Sequence, residues 1–166
     1  MSTRVALSMD KDWSFHLGDV DEPVEKTHSY IYNTSKAGAC PGVPQEDFDA
    51  RDWETVNVPH DWAIRQPFSE DGAANWGYKP GGKAWYRKVF AIPEKYRDKE
   101  LTIEFEGIAS RAVVYFNGSV IHRSFSAYTP FQIDISDRAH FGTRPNVLAV
   151  FVAVSYTHLR AHETEL

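Results

Sequence analysis

Short apolar runs of period two, separated by turn residues, set the fold class of this chain. In Leu101-Thr102-Ile103-Glu104-Phe105-Glu106 the large apolar side chains fall on one face and the polar ones on the other, as on a half-buried strand. Phe131, Ile133 and Ile135 alternate with Gln132 and Asp134 in the same way. Ala112–Phe116 and Val147–Val152 are apolar at nearly every position, so both need cover on two faces. Asn117-Gly118 supplies the two positive-φ residues of a type I′ hairpin and predicts Val120–His122 as the returning strand. Asp12–Leu17, Thr55–Val58 and Trp85–Ile92 complete the strand set, the last two stopped by Pro59 and Pro93. Strands this short at regular spacing predict an all-β fold, a jelly-roll-like antiparallel β-sandwich. Its core is expected to hold Leu101, Ile103, Phe105, Val114, Phe116, Phe131, Ile133, Val147, Ala149 and Val150.

Two stretches lack this pattern. Residues 19–50 read as a long irregular crossing, with a short element near Tyr30–Tyr32. Residues 60–83 form a long loop rich in Gly and Pro, and loops of that length in compact domains are usually functional or disordered. Glu104 and Glu106 fall on the polar face of their strand and read as solvated rather than catalytic; Arg87 and Lys88 read as a solvated pair.

The 166 residues suffice for one domain with a core. A net charge of −5 argues against a nucleic-acid partner, which needs a basic face to neutralise phosphates. No apolar run reaches the ~18 residues of a membrane span, and the N-terminus lacks the apolar core of a signal peptide. The single cysteine, Cys40, has no partner for a disulfide and no base beside it in sequence, and it leaves the compartment open. No dinucleotide-binding or Walker loop, nucleophile elbow or zinc-protease motif occurs, and no cofactor or metal site is expected. Aromatic content is 14%, which suits pleated strands and also suits stacking on sugar rings.

One ordered constellation remains. It runs Val56-Asn57-Val58-Pro59-His60-Asp61-Trp62, then Asn75-Trp76-Gly77-Tyr78-Lys79-Pro80-Gly81-Gly82-Lys83-Ala84-Trp85-Tyr86-Arg87-Lys88, then Phe105-Glu106-Gly107 and Val114-Tyr115-Phe116-Asn117-Gly118. Tyr128-Thr129-Pro130-Phe131-Gln132-Ile133-Asp134-Ile135-Ser136 and Asn146-Val147-Leu148-Ala149-Val150 close it. In order and spacing, over about residues 12–152, these segments resemble the N-terminal domain of family 2 glycoside hydrolases of the β-galactosidase type. Lys79 stands where that pattern usually has Leu, and Lys83-Ala84 where it has a small pair.

The resemblance implies a galactose-binding-like sandwich serving a retaining O-glycosyl hydrolase. Its two catalytic glutamates, about 5–5.5 Å apart, would lie on a TIM barrel joined to this domain through an Ig-like one, so no residue of this chain is expected to be catalytic. The implied partner is a carbohydrate, a β-galactoside or related β-glycoside. The residues expected to meet it are His60, Asp61, Trp62, Asn75, Trp76 and Tyr78. Other roles stand beside these. His60 and Asp61 also suit a turn cap after Pro59, Trp62, Trp85 and Tyr86 suit strand packing, and Tyr78 suits a buried anchor. An autonomous carbohydrate-binding module is the second functional reading.

Residues 1–153 are expected to form the sandwich domain, incomplete at its C-terminus. From Val154 the β pattern stops in the polar run Ser155-Tyr156-Thr157-His158-Leu159-Arg160-Ala161-His162-Glu163-Thr164. It resembles translated sequencing-adapter DNA, so residues 154–166 are expected to be a non-native tail, and the i, i+4 pair His158 and His162 no metal site.

Overall fold

The computed structural model describes residues 4–20, 38–68, 70, 81–109 and 111–154. Their strands are β1 Trp13–Leu17, β2 Glu54–Val56, β3 Gly82–Phe90, β4 Thr102–Phe105, β5 Arg111–Phe116, β6 Ser119–Ser124, β7 Phe131–Asp134 and β8 Asn146–Val154. Two single 3₁₀ turns, Trp62–Arg65 and Glu94–Tyr96, sit between them. Six strands form one sheet in the order β2-β1-β3-β8-β5-β6, and β4 and β7 form a second. Every pairing is antiparallel.

The two longest strands make the spine. β3 and β8 pair along nine residues, from Gly82↔Val154 to Phe90↔Asn146. Side chains alternate across a strand, so β8 sends Leu148, Val150 and Val152 to one face and Val147, Ala149 and Phe151 to the other. The first set joins Trp13, Phe15, Ala84, Tyr86, Val114 and Phe116 in a core closed from the opposite sheet by Ile103 and Ile133. This is the expected jelly-roll-like sandwich. Fully burying a side chain such as Phe116 or Leu148 contributes about 1.5–3 kcal/mol.

Of the expected core residues, Ile103, Val114, Phe116, Ile133, Val147, Ala149 and Val150 are buried. Leu101, Phe105 and Phe131 pack half-buried at its margin. There the cross-strand pair Phe105 and Phe131 stacks at 4.9 Å, and His122 stacks on Phe131 at 4.2 Å. The hairpin turn has both predicted positive φ angles, 48° at Asn117 and 85° at Gly118.

Three expectations need correction. Arg87 is not solvated: it is 6% exposed, and its guanidinium donates to the carbonyls of Val43 at 3.0 Å and Gln45 at 2.9 Å. Residues 43–45 cross the outer face of β3 at this point, so Arg87 lies inside while Lys83 and Val89 on the same face are exposed. Lys88, its neighbour, is half-buried, lies over the Trp13 ring at 5.9 Å and donates to the Lys11 carbonyl. Val154 is the last residue of β8 and pairs with Gly82. Tyr30–Tyr32 and residues 155–166 lie outside the described residues.

Candidate functional site

The loop after β2 begins as a tied turn. The Val58 amide donates to the Asp10 carbonyl at 2.7 Å, and Asn57 accepts from the Asp12 amide at 3.0 Å. Pro59 then ends the extended run, and His60, Asp61 and Trp62 enter the 3₁₀ turn. Asp61 has the extended backbone of an N-cap, φ −127° and ψ 105°, and its Oδ1 accepts from the Ala63 amide at 2.8 Å. The cap leaves the Asp61 side chain exposed. Trp62 turns the other way, 8% exposed, with its ring 6.2 Å from Phe15 and 6.5 Å from Tyr86.

His60 connects the two. Its ring stands edge-on to Phe15 at 4.7 Å, and its Nδ1 lies 2.9 Å from the Tyr86 hydroxyl. Which of the two donates depends on the imidazole tautomer. Burial lowers the His60 pKa from 6.5, with the Arg65 cation adding to the effect, so the ring is neutral at pH 7. Burial also raises the Tyr86 pKa, so the phenol keeps its proton. His60 Nε2 is buried and has no hydrogen-bond partner among the described residues. Arg65 pairs with Glu54 beside the turn.

The chain thus brings His60, Asp61 and Trp62 together on one turn and backs them with Phe15 of β1 and Tyr86 of β3. Asn75, Trp76 and Tyr78 lie outside the described residues. Sequence reasoning missed that Tyr86 holds His60. The signal was present, because Ala84 and Tyr86 share a strand face and Phe15 alternates inward on β1. Chemically the turn offers an exposed carboxylate that accepts hydrogen bonds, held on an aromatic base that cannot shift without breaking the core.

Three described carboxyl groups depart from their ordinary pKa, and all move down: Asp49 to about 2 beside Arg51, Glu94 beside Arg97, and Asp134 through the hydroxyl and amide of Ser136. A glycosidase general acid needs the opposite shift.

Known proteins share this architecture. The family model for the glycosyl hydrolase 2 galactose-binding domain-like module matches residues 57–166. A β-galactosidase of Bacteroides ovatus is 32% identical over 154 residues, covering 92% of this chain and 16% of that enzyme. A putative β-glucuronidase of Formosa agariphila is 33% identical over 114 residues, covering 68% of this chain and 11% of that protein. Among solved structures, a glycosyl hydrolase family 2 member from Bacteroides cellulosilyticus superposes with a TM-score of 0.71 at 29% identity, over 90% of this chain and 18% of that one. The chain therefore spans less than a fifth of the length of these relatives. With motif order, fold and family model in agreement, this chain belongs to the galactose-binding-like N-terminal domain family of the family 2 glycoside hydrolases.

Proposed function

We propose that this chain is the sugar-recognition domain of a retaining β-glycosidase that acts on β-galactosides or closely related β-glycosides. The reading is supported above all by a β-galactosidase relative that matches 92% of this chain with only 16% of its own length. The catalytic glutamates then belong to the barrel of the complete polypeptide, and this domain supplies one wall of the pocket for the non-reducing sugar. Asp61 accepts hydrogen bonds from sugar hydroxyls, and Trp62 and His60 fix the turn that presents it. The motif resemblance assigns Asn75, Trp76 and Tyr78 to the same task of sugar contact. Such a wall raises kcat/KM by holding the sugar where the acid and nucleophile reach its anomeric carbon.

Asp61 tests the reading, because it has two separable roles. Asn caps a turn as well as Asp does, but it carries no charge. In a complete relative with the same Pro-His-Asp-Trp motif, Asp61→Asn should fold normally. It should lose kcat/KM by about 2–4 kcal/mol of transition-state binding. Unchanged kcat/KM would reduce Asp61 to a turn cap and remove this loop from the pocket.

A further inference from the structure

The outer face of the large sheet carries a second cleft, on the side opposite His60 and Tyr86. Its floor is aromatic and crosses three adjacent strands: Trp85 of β3, Phe151 of β8 and Tyr115 of β5. Trp85 and Phe151 are direct cross-strand partners with rings 5.0 Å apart, and Trp85 and Tyr115 lie 5.6 Å apart. All three are half-buried, so their rings are not sealed into the core. Pro41 and Val43 form one wall and Asp19 with Val20 the rim, around a volume of about 340 Å³.

The walls are fastened. Arg87, two residues along β3 from Trp85 and on the same face, holds the Val43 and Gln45 carbonyls. The Gln45 amide in turn donates to the Cys40 carbonyl at 2.6 Å, and the Cys40 amide to the Gly118 carbonyl. Ala39 bridges to Ser119 on β6. Asp19 is set by the end of β1: the Gly18 amide donates to the Lys83 carbonyl at 2.7 Å, and Lys83 Nζ lies 3.2 Å from the Asp19 carboxylate. A buried guanidinium satisfied by main-chain carbonyls is an expensive way to hold a loop unless the position of that loop matters.

We propose that this cleft is a second saccharide-binding subsite. A pyranose has an apolar C–H face and a rim of hydroxyls. The Trp85–Phe151–Tyr115 floor covers the first, and the exposed Asp19 carboxylate, with Lys83 beside it, bonds the second. The size falls in the range of ~300–1,000 Å³ usual for small-ligand pockets. Because the site faces away from the His60 turn, it would hold a sugar unit that is not the one at the reacting bond. The choice of a β-galactoside as probe rests on the functional reading above; the cleft itself does not.

The test is a titration of the purified chain with methyl β-galactoside and with lactose, followed residue by residue by NMR. The expected result is millimolar binding that moves the Trp85 indole, Tyr115 and Phe151 signals. Trp85→Ala should weaken it at least tenfold. Should that variant fail to fold, Asp19→Asn, on an exposed rim, should still weaken binding several-fold with an unchanged melting temperature. Shifts confined to His60, Trp62 and Tyr86 would overturn the cleft while leaving the pocket-wall reading standing. No shift in either set at 100-fold the protein concentration and beyond, up to solubility, would overturn the cleft as well. Loss of kcat/KM in Asp61→Asn of a full-length relative decides the pocket wall independently.

Discussion

At the scale of single residues, Arg87 and His60 carry consequences that stability measurements read directly. Arg87→Ala leaves the carbonyls of Val43 and Gln45 inside the protein without their donor. Urea denaturation should show a loss of about 2–4 kcal/mol. Arg87→Lys should recover little of it, since an ammonium on a flexible stem cannot reproduce the guanidinium fork. A loss within ±0.5 kcal/mol, the ordinary range for surface substitutions, would mean that the guanidinium works in solvent. His60 sets a pH dependence. Its folded pKa lies below the unfolded value of 6.5, because burial disfavours the cation, Arg65 adds to this, and Glu54 and Asp61 oppose it. Below 6.5 the unfolded chain binds the proton first, so the contribution is complete above about pH 6.5 and is lost as pH falls toward the folded pKa. Melting temperature should therefore drop on acidification below 6.5, and His60→Gln should flatten that part of the profile. A His60→Gln profile parallel to the wild type would assign the acid sensitivity elsewhere.

At the scale of elements, the β5–β6 hairpin and the start of β8 are locked by two asparagines. The Asn117 amide donates to the Arg138 carbonyl at 2.8 Å and to Asn146 Oδ1 at 2.9 Å, while its Oδ1 accepts from the Val147 amide at 2.8 Å. Asn146, fully buried, also accepts from the His140 amide and donates to the His140 carbonyl. Asn146→Leu strands these groups and should cost about 3 kcal/mol or more in chemical denaturation. A near-neutral Asn146→Leu would show that the network is dispensable. Gly118 closes the same corner, since a Cβ there would come within 2.7 Å of the Gln45 amide nitrogen. Strand positions, the hairpin and most of the core could be read from sequence, because period-two alternation records which face is apolar. What alternation does not record is whether the second face is also covered. Trp85, Arg87, Tyr115 and Phe151 lie on that face, and the segment 43–45 that covers Arg87 there has no periodic pattern. The all-apolar runs of β5 and β8 were the indications that both faces need cover. The candidate site was partly readable for the same reason: Pro59-His60-Asp61-Trp62 is a contiguous motif, whereas the Tyr86 hydroxyl that holds His60 arrives from another strand.

At the scale of the whole molecule, the proposed role of the sandwich is sugar contact, with the paired carboxyls that cleave a glycosidic bond assigned to another domain. The described carboxylates are spread through exposed ion pairs, among them Arg4–Glu104, Arg65–Glu54 and Arg144–Glu46. Exposed pairs of this kind contribute little to stability. The purified chain should accordingly turn over neither chromogenic β-galactoside nor β-glucuronide, and turnover above a heat-killed control would place a catalytic pair in this domain. The proposed division of labour, recognition here and catalysis on a barrel in the same polypeptide, is tested most directly by sequencing the source DNA across the codon for Val154. The expected result is an open reading frame that continues into an Ig-like domain and a barrel with two glutamates at the C-terminal ends of its strands. An in-frame stop codon shortly after Val154 in the genomic copy would contradict it and leave an autonomous carbohydrate-binding module.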